Sequence, residues 1–476
     1  MTSLPIVSRF WSSRRTAELS HAPDLHALWQ YPRLLPKAVA TDPLVQHYLD
    51  LLGPLNWSQF PERDLLTQRG MPAVPFVPFV AACLVKLDQH LRYFSHLRQY
   101  LLDHPSLSWT LGFPALSPAK TTVQLPSQRH FPRLLRKVPN ASLQFLLDET
   151  VRLLRHELVT TAPDFGDTVA LDTKHILAWV RENNPRDYVK DRFAKDHQPA
   201  DPDCALGCKR KHNQHTKTAV SPPTPDNDPV PAQTIAVSEY YWGYASGIVT
   251  TKVPHWGEFV LAELTQPFNI SDVAYFFPLM AAVERRLGFR PHYAALDAAY
   301  DAFYVYEYFH RIGEDGFAAV PLSTRGGAAA RKFDPQGLPL CNAGLAMPLK
   351  STYHCKTTRV PHERGRYACP LVYPATTGKH CPVSHKKWAA GGCITTLATS
   401  VGARIRHQLD RESDAYKRIY NQRTVPERLF SLAKDLGIER PKLRNGQAIA
   451  NLNTLIYVLL NLRALQRVKH CKSAKK

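Results

Sequence analysis

Apolar residues recur every three or four positions through HLRYFSHLRQYLLDH (90–104) and ASLQFLLDETVRLLRHEL (141–158). That period predicts amphipathic helices, and residues 1–160 read as a helical segment made basic by stretches such as SQRHFPRLLRKV. At Thr168 the pattern changes. TVALDTKHI is β-branched and apolar, then polar, which predicts a short buried strand ending in a carboxylate. Residues 181–233 carry eight prolines between Pro185 and Pro231 and many charges, so they read as an irregular surface insertion without its own core. YASGIVTTKV (244–253) and GEFVLAELT (257–265) are strand-like. Ser271 or Asp272 is placed to cap a helix, VAYFFPLMAAVERRLGF, with Pro278 as a kink point. HYAALD (292–297) is another short strand ending in Asp. AFYVYEYFHRIG reads as a helix closed by Gly313, and FAAVPL (317–322) as a further strand.

The resulting order is three strands, helix, strand, helix, strand. Residues 323–410 interrupt it with Gly, Cys, basic residues and short strand-like pieces. PERLFSLAKDLG (426–437) and GQAIANLNTLIYVLLNLRALQRV (446–468) are helical. The fold class expected is α/β, a mixed sheet with flanking helices. An N-terminal helical domain (1–160) precedes a core in two parts (161–322 and 411–468). A mostly β or irregular insertion (323–410) splits that core, and a basic tail (469–476) follows.

Composition narrows the partners. A chain of 476 residues exceeds one compact core, so two or three domains are expected. A formal net charge of +20 implies a polyanionic partner, nucleic acid first and an anionic membrane surface second. The longest apolar stretch near the end, TLIYVLLNLRAL, is broken by Asn461 and Arg463, and no run of about 18 apolar residues occurs, so no membrane span is expected. MTSLPIVSRFWSSRRTAELS lacks the apolar region of a secretory signal. Nine unevenly placed cysteines suit a reduced intracellular chain better than a disulfide framework. Cytoplasmic, nucleoid-associated DNA binding is the expectation. The helical N-terminal segment could recognise DNA ends or simply carry solvated Arg faces. Residues 440–476 hold nine Lys or Arg and no acid, a phosphate contact or a solvated tail.

Cutting a phosphodiester requires charge neutralisation and an aligned nucleophile. Two Mg²⁺ ions about 3.5–4 Å apart can supply both, and Mg²⁺ takes oxygen ligands. Asp172 and Asp297 each end a predicted strand, where a following loop leaves room for substrate. On the helix after Pro426, Glu427 and Lys434 fall about 20° apart on one face. Pro426 fits a first helical turn, so that helix starts near Thr424 and puts Tyr420 and Arg423 on a preceding turn. Thr424-x-x-Glu427 also matches a capping box. Asp301 and Glu363 are competing acids.

These blocks carry a specific resemblance. YNQRTVPERLFSLAK holds Tyr420, Arg423, Glu427 and Lys434 at the Tyr-x2-Arg-x3-Glu-x6-Lys spacing of a group of insertion-sequence transposases. LDTKH at Asp172 and LDAAYD at Asp297 are similar to that group's blocks around its two aspartates. The resemblance covers about residues 168–465. It implies an RNase H-like catalytic domain of the DDE type, with the acids on the first strand, just after the fourth, and on a later helix. It implies further that Asp172, Asp297 and Glu427 bind Mg²⁺ or Mn²⁺, and that Tyr420, Arg423 and Lys434 grip the phosphates of a transposon end. The insertion at 323–410 would offer Trp388 to a flipped base, or merely pack it. Double-stranded DNA and a homodimer on DNA are the implied partners. A catalytically inactive DNA-binding derivative and a plain nuclease of the same fold stay open.

Cys204-x3-Cys208-x3-His212-x2-His215 has zinc-ligand residue types at ligand-like spacing. Cys341, Cys355, Cys369, Cys381 and Cys393 form a second group, with His354 and His380 adjacent to two of them. Each could hold structural Zn²⁺ or consist of small packed residues.

Overall fold

The computed structural model describes residues 25–63, 75–113, 125–213, 235–310, 316–323 and 331–474. The helical expectation for the first part holds among these: α1 Leu25–Gln30, α2 Lys37–Ala40, α3 Pro43–Leu52, α4 Phe76–Asp88, α5 Phe94–Asp103, α6 Pro105–Thr110, α7 His130–Lys137 and α8 Asn140–Leu158. Asp42 caps α3 by accepting the Leu44 N–H, with Pro43 in the first turn. α4 is apolar nearly all round and nearly wholly buried, as a helix in the middle of a core must be.

A mixed six-stranded sheet follows. Its strands are β1 Thr168–Leu177, β2 Ala205–Asn213, β3 Ile235–Val253, β4 Gly257–Pro267, then α9 Phe276–Leu287, β5 Tyr293–Ala295, α10 Phe303–Phe309 and β6 Phe317–Ala319. The order across the sheet is β2-β3-β1-β5-β6, with β4 also on β3. β3 is antiparallel to β1, β2 and β4, whereas β5 and β6 run parallel to β1. Two expectations change. The 181–233 segment is not irregular throughout, because β2 pairs along the first half of β3. β1 does not stop at Asp172 but continues to Leu177 along β3. Gly313 lies outside the described residues, and α10 ends at Phe309.

The insertion folds as an antiparallel sheet of β7 Leu349–Cys355, β8 His362–Ala368 and β9 Ile394–Ala398, followed by α11 Val401–Gln408. α12 Asp414–Tyr420, α13 Val425–Asp435 and α14 Gly446–Ser473 complete the chain.

α14 organises the molecule. Its 28 residues include a window of hydropathy 1.4, long and apolar enough to cross a membrane, but 89% of that window is buried inside the protein. Several of its polar residues are tied to other elements. Asn461 donates to Thr150 of α8 and the Val260 carbonyl, and accepts the Val260 N–H. Asn451 donates to the carbonyls of Leu135 and Val138, and Arg463 clasps Asp88 at the end of α4. Leu84 and Leu135 from the N-terminal helices share one apolar cluster with Ile456 and Leu459 of α14 and Ile248 and Val260 of the sheet. The N-terminal helices therefore share an apolar cluster with α14 and the sheet.

Candidate active site

β1 and β5 pair in parallel only from Thr168↔Tyr293 to Ala170↔Ala295. Asp172 and Asp297 each stand two residues beyond that last pair. There β1 keeps its β3 partner, Asp172 facing Ile248 across the ladder, while the other chain turns away into a 3-10 turn, Ala298–Tyr300. A notch opens at the carboxyl end of the parallel pair, the place where an α/β sheet offers room for ligands. Side chains two apart on a strand share a face. Ala170 and Ala295 are buried in the cluster that holds Val425, Leu429 and Ala433 of α13, so the two aspartates face the side on which α13 packs.

Each aspartate is held locally. Asp172 accepts the Thr173 N–H at 2.7 Å, and Asp297 accepts the Ala299 N–H at 2.9 Å. Burial pushes the Asp172 carboxyl up to about 7 against that hydrogen bond, and the charges of Asp297, Asp272 and Glu427 add to the rise. Asp297 is also raised, by burial first and by Asp272, while the Ala299 bond and Arg423 hold it down.

Glu427 comes from α13. The backbone stays helical from Tyr420 (φ −60°, ψ −32°) through a 3-10 turn to Val425 (φ −60°, ψ −50°), with Pro426 in the first turn of α13. The predicted capping box does not form. Thr424 has helical dihedrals and no side-chain cap bond, whereas a capping residue needs extended ones. Its hydroxyl accepts from Arg428 instead. Glu427 is exposed and turns to Arg423, at 2.9 Å. Burial works against the Arg423 charge, and Glu427, Tyr420 and Asp172 outweigh it. The guanidinium thus stands in the field of the acids.

The remaining expected contacts lie around this point. Tyr420 is half-buried and stacks on Tyr416, ring centroids 5.6 Å apart. Lys434 is exposed and sits 3.6 Å from Glu439, which also takes Lys174 of β1 at 2.6 Å. Trp388 lies in the insertion, half-buried, with its ring 6.1 Å from that of His380. Asp301 is not part of the site. Its nearly inaccessible carboxylate accepts from Arg406 at 2.7 and 2.6 Å, from the Ser323 N–H and from Tyr306. Glu363 sits exposed on β8 and accepts from Thr399. Sequence reading missed one acid, Asp272, expected only as a helix cap. It begins a 3-10 turn, Asp272–Tyr275, and its Oδ1 accepts from the Thr173 hydroxyl at 2.7 Å.

Among the described residues no three His, Cys, Asp or Glu side chains are already drawn together as a ready ligand set. The donors at the notch nevertheless suit an oxygen-seeking divalent cation. They are carboxylates, the three aspartates half-buried and Glu427 exposed, and the Asp172 carboxyl is raised partly by the other three charges, a burden a cation relieves.

The first zinc candidate is spread along the chain. Cys208 and His212 lie on β2, about 13 Å apart along an extended strand. One tetrahedral ion, with ligand atoms about 2.0–2.3 Å away, does not span that. Cys204 is buried and donates to the Asp201 carbonyl, and His215 lies outside the described residues. All nine cysteines are free. In the second group burial, Cys369 and Cys341 push the Cys393 thiol up to about 11, so Cys393 stays protonated at neutral pH.

No protein-family model matches the chain, and no curated protein matches it.

Proposed function

We propose that this chain is a DNA transposase of the DDE type, with an RNase H-like catalytic domain, that cleaves and joins DNA strands at transposon ends. The observation that carries the reading is the placement of Asp172 and Asp297 beyond the last parallel pair of β1 and β5, with Glu427 close enough to raise Asp172 further. With β2 set aside as an inserted strand, the core reads β4-β3-β1-β5-β6, its first three members antiparallel. The acids then fall on the first core strand, just after the fourth, and on a late helix, as the resemblance implies.

Asp172, Asp297 and Glu427 would hold Mg²⁺ or Mn²⁺. Such ions neutralise charge on the attacking and leaving oxygens of a phosphodiester. The protein's own part is positioning. The Thr173 and Ala299 N–H groups each fix one oxygen of an aspartate. Arg423 stands beside Glu427, and Lys434 and Lys174 share Glu439; Tyr420, Arg423 and Lys434 would hold the DNA phosphates. Trp388 would meet a displaced base. Joining needs two ends together, so a homodimer on double-stranded DNA is the working form.

The test is cleavage of DNA from the flanks of the gene, with Mg²⁺, by wild type and Asp172→Ala. Loss of cutting in the variant is expected. Undiminished cutting refutes the assignment, and cutting without strand joining leaves a nuclease of the same fold.

A further inference from the structure

The turn that carries Asp272 is pressed onto the sheet for a reason visible in the sequence. Thr173 pairs with Gly247 of β3, and a Cβ on Gly247 would lie 2.5 Å from the Tyr275 ring. Only glycine leaves room for that ring, and the Tyr275 hydroxyl donates to the Ala245 carbonyl at 3.0 Å. The anchored turn packs against the 3-10 turn that begins right after Asp297, and Asp272 bonds the residue that follows Asp172. One acid is therefore linked to the neighbourhood of both aspartates. It enters from the face opposite α13, where β1 has lost its β5 partner.

A second observation concerns Tyr300. This residue is fully buried, yet its hydroxyl has no hydrogen-bond partner among the described residues. A buried hydroxyl left unpaired is costly. The carboxylates acting on it are Asp272, Asp172 and Asp297. Its unpaired hydroxyl stands in the field of all three acids.

We propose that Asp272 is a fourth carboxylate of the metal centre, taking part in holding the cation, and that the Tyr300 hydroxyl serves the same cluster as a hydrogen-bond donor. This rests on the divalent-metal reading of Asp172, Asp297 and Glu427. A carboxylate held by Thr173 on one oxygen is oriented before the cation arrives, as supporting groups of metal sites are. The sequence gives it no motif, because its partners come from β1 and from the turn after β5.

The experiment is Mn²⁺ titration of the full chain without DNA, with free Mn²⁺ read by electron paramagnetic resonance and melting followed in chelator as the check on folding. Asp272→Asn is expected to weaken Mn²⁺ binding by roughly ten-fold without a lower melting temperature in chelator. Asp272→Glu should recover part of the affinity. Thr173→Val, which keeps every carboxylate, should weaken binding by a smaller factor and decides the matter should Asp272→Asn misfold. Tyr300→Phe should also weaken it while melting no earlier than wild type. Wild-type Mn²⁺ affinity in folded Asp272→Asn, beside a loss in Asp172→Asn, overturns the role of Asp272 alone. Wild-type affinity in Asp172→Asn as well overturns the metal centre, and this inference with it.

Discussion

Asp172→Asn should make the cation-free protein more stable at neutral pH, although it removes the residue on which the proposed chemistry depends. The carboxyl is raised from 3.8 to about 7 in the folded chain. A raised acid binds its proton more tightly folded than unfolded, so ionising it works against folding as pH climbs from about 4 to 7. A rise of about three pH units corresponds to roughly 4 kcal/mol at pH 7 or above, and to under about 1 kcal/mol at pH 4. Partial solvent access and rearrangement lower the attainable gain to about 1–3 kcal/mol. Asn keeps the acceptor for the Thr173 N–H and drops the charge. For a chain of this length the gain corresponds to a melting rise on the order of 1–3 °C. The assay is thermal melting in chelator at pH 8 and at pH 4.5, with the expected difference between variant and wild type large at the first and small at the second. An equal shift at both pH values, or a destabilised variant at pH 8, would show that Asp172 bears no such burden.

Three further outcomes are expected. Arg406→Ala strips the partner from the buried Asp301 carboxylate and should cost about 3 kcal/mol at neutral pH. Asp301 is held below the usual carboxylate range, with burial outweighed by Arg406, the Ser323 N–H and Tyr306. Its contribution is therefore present above about pH 4 and fades as pH falls through its lowered value, and denaturant midpoints at pH 7 and pH 3 that shift alike would contradict this. Gly247→Ala should cost about 1–3 kcal/mol by forcing the Tyr275 ring off the sheet, measured by urea unfolding. Arg423→Gln releases Glu427 and should tighten Mn²⁺ binding several-fold while weakening DNA-end cleavage. Unchanged values of both would remove Arg423 from the site.

Local patterning made much of this fold legible. The β-branched run at 168–171 and the change of period after it announced β1, and the strand, helix, strand order around Asp297 was readable from the same signals. What stayed hidden depends on partners distant in sequence. β2 sits within a stretch dense in proline and charge, and forms because β3 runs on far enough to pair with it. Asp172 reads as a strand end because polar residues follow, but β3 carries the ladder past it to Leu177. The Thr424 capping box is a sound local pattern overruled by a helical turn arriving from α12. Asp272 looked like a cap, since nothing in its own segment reveals Thr173, 99 positions earlier. The N-terminal helices looked separable because their apolar faces do not show that α14 is what they meet.

Like charges gather at the notch. Asp172, Asp297, Asp272 and Glu427 act on one another across half-buried space, and without a cation each shorter separation raises the repulsion. Glu427 is the one on an exposed helix turn, so it is free to swing, and it settles on Arg423. Arg423 sits where Asp172 and Asp297 also feel it. It works as a resident positive charge that limits the cost of holding the acids near one another. On the proposed function, a bound cation would take over that balancing role and leave Arg423 available to DNA phosphates. The Arg423→Gln variant separates those two duties, because it should improve the first equilibrium and impair the second.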